Sequence, residues 1–239
     1  MSPVASVHAP IRAVIFDVDG TLLTTGGAGG VAWAKAFADV HGAPVDIAAV
    51  TESGMTDTDV AITALRTVMD REPTDDDVAE VTAPYLEYLP DAVAQSKGYR
   101  VEPGIVQLLD RLASEGVPLG ITTGNIEPAA EIKLGRGDLN KYFAFGGYGS
   151  DSSDRTRLTR HAVKRGIVAA SSGDFPGGRP AVLAADDFVA VGDTPRDVTA
   201  AHGAGIRVVS VATGLFDLEA LRAAGPEWAL PTVEAGFPL

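Results

Sequence analysis

Cysteine is absent from the chain, and its absence excludes disulfide bonds, thiolate catalysis and cysteine-ligated zinc. Histidine is scarce: His8, His41, His161 and His202 are the four present, and their spacing matches no metal-ligand pattern, which leaves surface and helix roles. Positive charge is also in short supply. Lys and Arg number 19 against 32 Asp and Glu, a formal net charge of −13. Nucleic acid is therefore a poor partner, because phosphate backbones need a basic face. The acidity otherwise reads as a solubility feature. No apolar run reaches membrane-spanning length, and residues 1–10 lack a basic region followed by a sustained apolar stretch. A soluble cytoplasmic protein without a membrane partner is the default expectation, with residues 1–10 as a loose arm.

What is present is an ordinary globular balance, 46% hydrophobic and 21% charged over 239 residues, enough for one large domain or a core with a smaller companion. The chain is organised around Val14-Ile15-Phe16-Asp17-Val18-Asp19-Gly20-Thr21-Leu22-Leu23. The apolar β-branched run reads as a strand of a parallel sheet, covered on both faces. Asp17 and Asp19 then leave the sheet at a strand's carboxyl end, where open α/β sheets bind ligands. Gly20 permits the turn between them and Thr21. Two acids this close repel each other and raise one another's pKa unless a cation sits between them. A hard, oxygen-ligated divalent ion such as Mg²⁺ suits them best. With it bound, one carboxylate can act as nucleophile while the other shuttles a proton.

The rest of the chain divides by character. Thr24-Thr25-Gly26-Gly27 and Gly29-Gly30 make a flexible, hinge-like exit. From residue 26 to 98 the apolar residues take helical spacing: Trp33, Phe37 and Val40, with Gly42 and Pro44 ending that helix; Val60, Ile62, Leu65 and Val68 after the caps of Thr56-Asp57-Thr58-Asp59; and Val78, Val81, Tyr85 and Leu89 after Thr74-Asp75-Asp76-Asp77. Strands and helices then alternate. A helix carries Ile105, Leu108, Leu109 and Leu112; a strand runs to Thr123; an apolar run spans Tyr142-Phe143-Ala144-Phe145; a polar helix covers roughly residues 156–165; and a long surface loop of no recognised motif follows over 171–180. Strands at 187–191 and 207–211 come next, the first ending in Gly192-Asp193-Thr194-Pro195-Arg196-Asp197, and a possible last strand lies at Trp228-Ala229-Leu230. The pattern predicts an α/β fold: a doubly wound parallel sheet, residues 1–25 and 99–239, with an inserted all-helical domain over 26–98.

The string Asp17-Val18-Asp19-Gly20-Thr21 after an apolar strand resembles the first motif of the haloacid dehalogenase (HAD) superfamily, phosphoglycolate-phosphatase-like members above all. Thr123 before Gly124-Asn125 resembles the second motif, and Asp193 with Asp197 four residues on resembles the fourth. Read blandly, these are a strand-ending turn and a helix cap. The resemblance implies a Rossmann-like core with the helical segment as cap. It implies a Mg²⁺-dependent phosphatase acting on a small phosphorylated metabolite: Asp17 the nucleophile that forms an aspartyl-phosphate, Asp19 the acid and base. It also implies metal ligation by Asp17, the backbone carbonyl of Asp19, and Asp193, with phosphoryl contacts from Thr123, Gly124 and Asn125. Asp197 is then either a further ligand or the orienter of a cation. An acid at position 19 favours attack on phosphorus, since the dehalogenases of the superfamily, which attack carbon, lack it.

The chain departs from the family at the third motif, usually a lysine followed by proline; no Lys-Pro pair occurs. Arg155, Arg157 and Lys164 are the candidates, and Arg155 is nearest the expected position. In the cap, Gly54-Met55-Thr56-Asp57 reads first as helix capping and second as substrate contact. Lys35, Arg66 and Arg71 are cap cations available to a second anionic group. Two alternatives stand beside the phosphatase: a phosphomutase of the β-phosphoglucomutase type, and a non-catalytic regulatory or binding protein. The substrate is not named by the sequence, and monomer and homodimer both remain open.

Overall fold

The computed structural model describes residues 10–238. Apart from Pro10, the expected N-terminal arm and His8 lie outside the described residues. β1 (Ala13–Phe16) and β2 (Leu23–Thr24) are followed by four helices, α1 (Ala28–His41), α2 (Ile47–Val50), α3 (Asp57–Val68) and α4 (Asp75–Gln95). Then come β3 (Arg100–Val101), α5 (Ile105–Ser114), β4 (Leu119–Thr122), α6 (Glu127–Gly135), β5 (Phe145–Gly147) and α7 (Arg155–Ser172). The chain closes with β6 (Phe188–Gly192), α8 (Pro195–Ala204), β7 (Arg207–Val211), α9 (Leu218–Ala223) and β8 (Trp228–Leu230).

Six strands form one sheet in the order β5-β4-β1-β6-β7-β8, with parallel pairing throughout. β1 is central, pairing Phe16 with Ile121 of β4 on one side and with Val191 of β6 on the other. Its lack of alternation has a direct cause: both faces are covered. Val14 and Phe16 join Leu109 and Leu112 of α5 and Leu134 of α6, while Ala13 and Ile15 join Ala162 of α7 and Val198 and Ala201 of α8. Because β1 sits where chain order reverses across the sheet, the ends of β4, β1 and β6 open onto one crevice.

The helices between β2 and β3 carry their own hydrophobic cluster, centred on Trp33, Phe37, Leu65, Tyr85 and Leu89. Trp33 stacks on Tyr85 with centroids 3.9 Å apart and planes within 6°. α4 buries Val81, Tyr85, Leu89 and Val93, one every fourth residue, as an amphipathic helix requires. β2 and β3 pair antiparallel, Leu23 with Val101 and Thr24 with Arg100, so the segment leaves and returns along one ribbon. Just beyond it the two linkers touch backbone to backbone at Gly26 and Gly98, where a Cβ on either would collide with the other. No helix among the described residues is long and apolar enough to cross a membrane.

The structure differs from the sequence reading at several boundaries. The apolar run at 142–145 is mostly not strand: Asn140–Tyr142 forms a 3₁₀ turn and β5 begins at Phe145. α7 runs to Ser172, well past residue 165, and the following loop starts at Gly173. Gly166 and the closing serines look like breakers, but Gly166 lies against the rings of Phe145 and Phe188, and that packing outweighs local propensity. β2, α2, β3, α6 and α9 have no counterpart in the sequence pattern.

α7 rests on β5 at backbone distance, and a Cβ at Gly147 would overlap the Leu158 carbonyl oxygen. Gly147→Ala is expected to lower unfolding free energy by about 1–3 kcal/mol through overpacking. Urea denaturation checks this: the midpoint should fall with an unchanged slope.

Candidate active site

Three strand ends supply the crevice. Asp17 follows β1, Thr123 follows β4, and Asp193 follows β6. The loop after Asp17 curls tightly, with the amides of Leu22 and Leu23 both donating to Val18 O (3.0 and 3.1 Å). Gly20 completes the turn at φ 82°, and a side chain there would strike the Asp193 carboxylate. Backbone geometry therefore holds these two acidic segments together.

Asp17, Asp193 and Asp197 are all buried, and carboxylate oxygens from the three lie within 4.8 Å of one another. Asp193 accepts from Thr21 Oγ1 at 3.1 Å. Thr194, not Asp193, caps α8: it forms a capping box with Asp197, whose Oδ2 accepts from Thr194 N at 2.9 Å. Asp197 has a second task through its other oxygen, an ion pair with Arg155. Arg155 Nη2 also lies 3.6 Å from Asp17 Oδ2. Burial first, then the neighbouring carboxylates, push the Asp17 and Asp193 pKa values up, with Arg155 working the other way at Asp17. The Arg155 guanidinium is held ionised by Asp197 and Asp17 despite its own burial.

Ionised, the cluster carries three negative charges against one guanidinium. A divalent cation would balance it, and an all-oxygen donor set suits Mg²⁺. The residues therefore fit the expected metal through Asp17 and Asp193, while the two oxygens of Asp197 are engaged by Thr194 and Arg155.

Asp19 belongs to a separate group. Its Oδ2 accepts from Lys133 Nζ at 2.6 Å and from Asn125 Nδ2 at 2.8 Å. Lys133 Nζ also donates to Asn125 Oδ1 at 2.5 Å, and Asn125 Nδ2 to Thr123 Oγ1 at 2.8 Å. Burial opposes the charge on Lys133, but Asp19 and Asp57 more than offset it, raising its pKa above the ordinary lysine value.

The sequence reading omitted Lys133 because it passed over α6. A signal was there: Ala129, Ala130, Lys133 and Leu134 share the buried face of that helix, so a lone cation sits on an apolar stripe. Of the third-motif candidates, Arg155 is the one in the crevice. Arg157 is exposed and pairs with Asp154, and Lys164 lies beside a groove next to β5.

The inserted helical segment lies against the crevice through residues 52–57. Thr56 caps α3, as expected. Asp57 instead reaches the core, where its amide donates to Gly124 O (2.8 Å) and its Oδ2 accepts from Ile126 N (2.9 Å). Arg155 Nη1 contacts Gly54 O at 3.4 Å, and Arg196 pairs with Glu52. Beneath lies a cavity of about 200 Å³, walled by Asp17, Asp19, Lys133 and Arg155 on the core side and by Trp33 and Tyr85 on the cap side. Among the described residues the buried Tyr85 hydroxyl has no hydrogen-bond partner. The cap cations take other roles: Lys35 lies over the Tyr88 ring, Arg66 pairs with Glu72, and Arg71 with Asp77.

Comparison with known proteins gives the family and the fold. A family model described as haloacid dehalogenase-like hydrolase matches residues 14–211. A phosphoglycolate phosphatase of Rhodospirillum rubrum is 32% identical over 211 residues, 85% of this chain and 80% of that protein. One from Synechococcus elongatus is 32% identical over 130 residues, about half of each chain (54% and 54%). Among solved structures, a hydrolase from Pseudomonas syringae superposes with a TM-score of 0.68 at 21% identity, covering 94% of this chain and 95% of its own. A Bacteroides vulgatus chain designated a β-phosphoglucomutase gives 0.65 at 18% identity, covering 96% and 87%. At such identities these structures establish the fold alone.

Burial raises the Asp57 pKa from 3.8 to about 6, against the opposing pull of Lys133 and the Ile126 amide. The folded protein then binds more protons than the unfolded chain between about pH 4 and 6, so this residue's contribution to stability falls as pH rises through that window. Asp57→Asn keeps an acceptor for Ile126 and removes the buried charge. In metal-free protein its stability relative to wild type should rise by up to about 3 kcal/mol from pH 4 to 6.5. Parallel denaturation profiles for the two proteins would contradict this.

Proposed function

The chain belongs to the haloacid dehalogenase-like hydrolases, and from that premise we propose a Mg²⁺-dependent phosphatase that hydrolyses a small phosphorylated metabolite through an aspartyl-phosphate on Asp17. The observation that carries this reading is the division between the two aspartates. Asp17 faces Asp193, Asp197 and Arg155, whereas Asp19 faces Lys133 and Asn125. One is surrounded as a nucleophile beside a cation site, the other as a proton carrier.

Attack by Asp17 on phosphorus splits one hard displacement into two easier ones. Asp19 gives a proton to the departing alcohol, then removes one from the water that releases phosphate. Arg155, with its rigid donor fork, stabilises the charge that develops on the phosphoryl oxygens. Thr123 and the amides of the following turn supply further dipoles there. Asp17, Asp193 and the Asp19 carbonyl would hold the metal, which when bound offsets the repulsion between an anionic nucleophile and an anionic substrate. With residues 52–57 docked on the core, the closed cap keeps bulk water from the reaction.

The cavity, about 200 Å³, favours a short leaving group. Its aromatic cap wall and the unpartnered Tyr85 hydroxyl suit a small alcohol bearing one further polar group. The relatives named as phosphoglycolate phosphatases fit that description, and phosphoglycolate heads the candidates to assay.

EDTA should abolish phosphate release and excess Mg²⁺ restore it, and Asp17→Asn should remain inactive under both conditions. Full turnover in chelator, or by Asp17→Asn, would refute the site assignment. Arg155→Lys retains charge but loses the fork, and its kcat should fall on the order of 10²-fold; an unchanged kcat would remove Arg155 from phosphoryl stabilisation. Hydrolysis in ¹⁸O-labelled water should place label in the released phosphate, while a phosphomutase would return unlabelled sugar phosphate.

A further inference from the structure

Lys133 sits outside the acid cluster that Arg155 serves. It is 7% exposed, and both of its hydrogen bonds go to the group around Asp19. Asp19 Oδ2 takes two donors, Lys133 Nζ and Asn125 Nδ2. Among the described residues no side-chain donor reaches its Oδ1. We propose that Lys133 is the positioning residue for Asp19: by fixing Oδ2 on the α6 side of the cavity, it leaves Oδ1 to carry the proton to and from the reacting oxygen. This rests on the phosphatase reading above.

The mounting of Lys133 suits that task. α6 is gripped from both sides, Ala130 and Leu134 packing in the core cluster and Ala129 in the cap cluster. The backbone oxygen of Lys133 accepts from the Tyr99 hydroxyl at 2.9 Å. One turn on, Arg136 donates to Ser96 O at 2.9 Å and to Val93 O, and lies over the Tyr99 ring at 4.4 Å. The segment through which the chain returns from the cap therefore clamps the base of the lysine. A buried, clamped lysine has little rotamer freedom left to lose, so its ammonium acts as a fixed point. A substrate-gripping role fits less well, because an anionic group would compete with Asp19 for Nζ.

The steps balance as follows. The Asp17 carboxylate bonds to phosphorus, the bond from phosphorus to the leaving oxygen breaks, and the proton on Asp19 Oδ1 passes to that oxygen. Water then attacks phosphorus, the bond to Asp17 breaks, and a proton from the water returns to Oδ1. Lys133 touches neither reacting atom and works through Asp19 alone.

Such a role predicts a selective defect, readable with substituted phenyl phosphates as probes. A phenolate departs slowly without a proton, whereas 2,4-dinitrophenolate leaves unaided. With Mg²⁺ present, Lys133→Met should lower kcat/KM for phenyl phosphate by roughly 10²-fold, the contribution of a well-placed general acid. The value for 2,4-dinitrophenyl phosphate should stay nearly unchanged. In an Asp19→Asn background the same substitution should cost nothing further. Lys133→Arg, which keeps a cation at the site, should bring the ratio of the two substrates back toward wild type. Should Lys133→Met not fold, as judged by circular dichroism, Lys133→Gln must show the same selectivity. Equal losses on both substrates, or a rise in KM at constant kcat, would overturn the positioning role and leave the phosphatase reading standing. A folded wild-type protein inert toward both esters would overturn both.

Discussion

Like charge held out of water at the tip of β1 is the constraint on which the rest depends. Asp17, Asp193 and Asp197 are buried within reach of one another, opposed among the described residues by the Arg155 guanidinium. Left unbalanced, such a cluster resists ionisation, as the raised pKa values of Asp17 and Asp193 express. An all-oxygen donor set of this kind would suit a hard cation, the premise of the proposed function. The parallel sheet makes this feasible: three adjacent strands deliver their carboxyl ends to the same place, and hydrogen bonds between strands fix the spacing.

Arg155 and Lys133 are not interchangeable. Arg155, at the start of α7, spans Asp17 and Asp197 and suits a planar, multiply oxygenated target. Lys133, on α6, is a point charge beside Asp19 and Asn125. Separate elements thus keep the two acids in different electrostatic surroundings, which is how neighbouring carboxylates take on unlike roles. The cap contributes Asp57, whose carboxylate is held by a core amide.

Much of this was legible in the sequence, and the reasons are physical. A continuous apolar run ending in Asp-Val-Asp-Gly-Thr can be little other than a central parallel strand feeding a ligand site, and the run before Gly192-Asp193 has the same form. Helical periodicity between residues 26 and 98 was equally plain, because each cap helix buries one stripe. What stayed hidden depends on tertiary contact. Arg155 is one of several cations near the start of α7, and only packing distinguishes it from Arg157. Lys133 needed α6 to be recognised first, and α6 is short and rich in alanine. The true length of α7 rests on glycine lying against two aromatic rings. The linkage of Asp57 to Ile126 joins residues 69 positions apart, beyond any local pattern.

The ribbon of β2 and β3, with the glycine crossing just beyond it, has an architectural consequence. Entry to and exit from the 70-odd intervening residues lie one strand spacing apart, about 5 Å. To the sheet, that whole excursion is equivalent to a hairpin turn. A change in the length of that excursion therefore leaves the register of β1 against its neighbours unaltered.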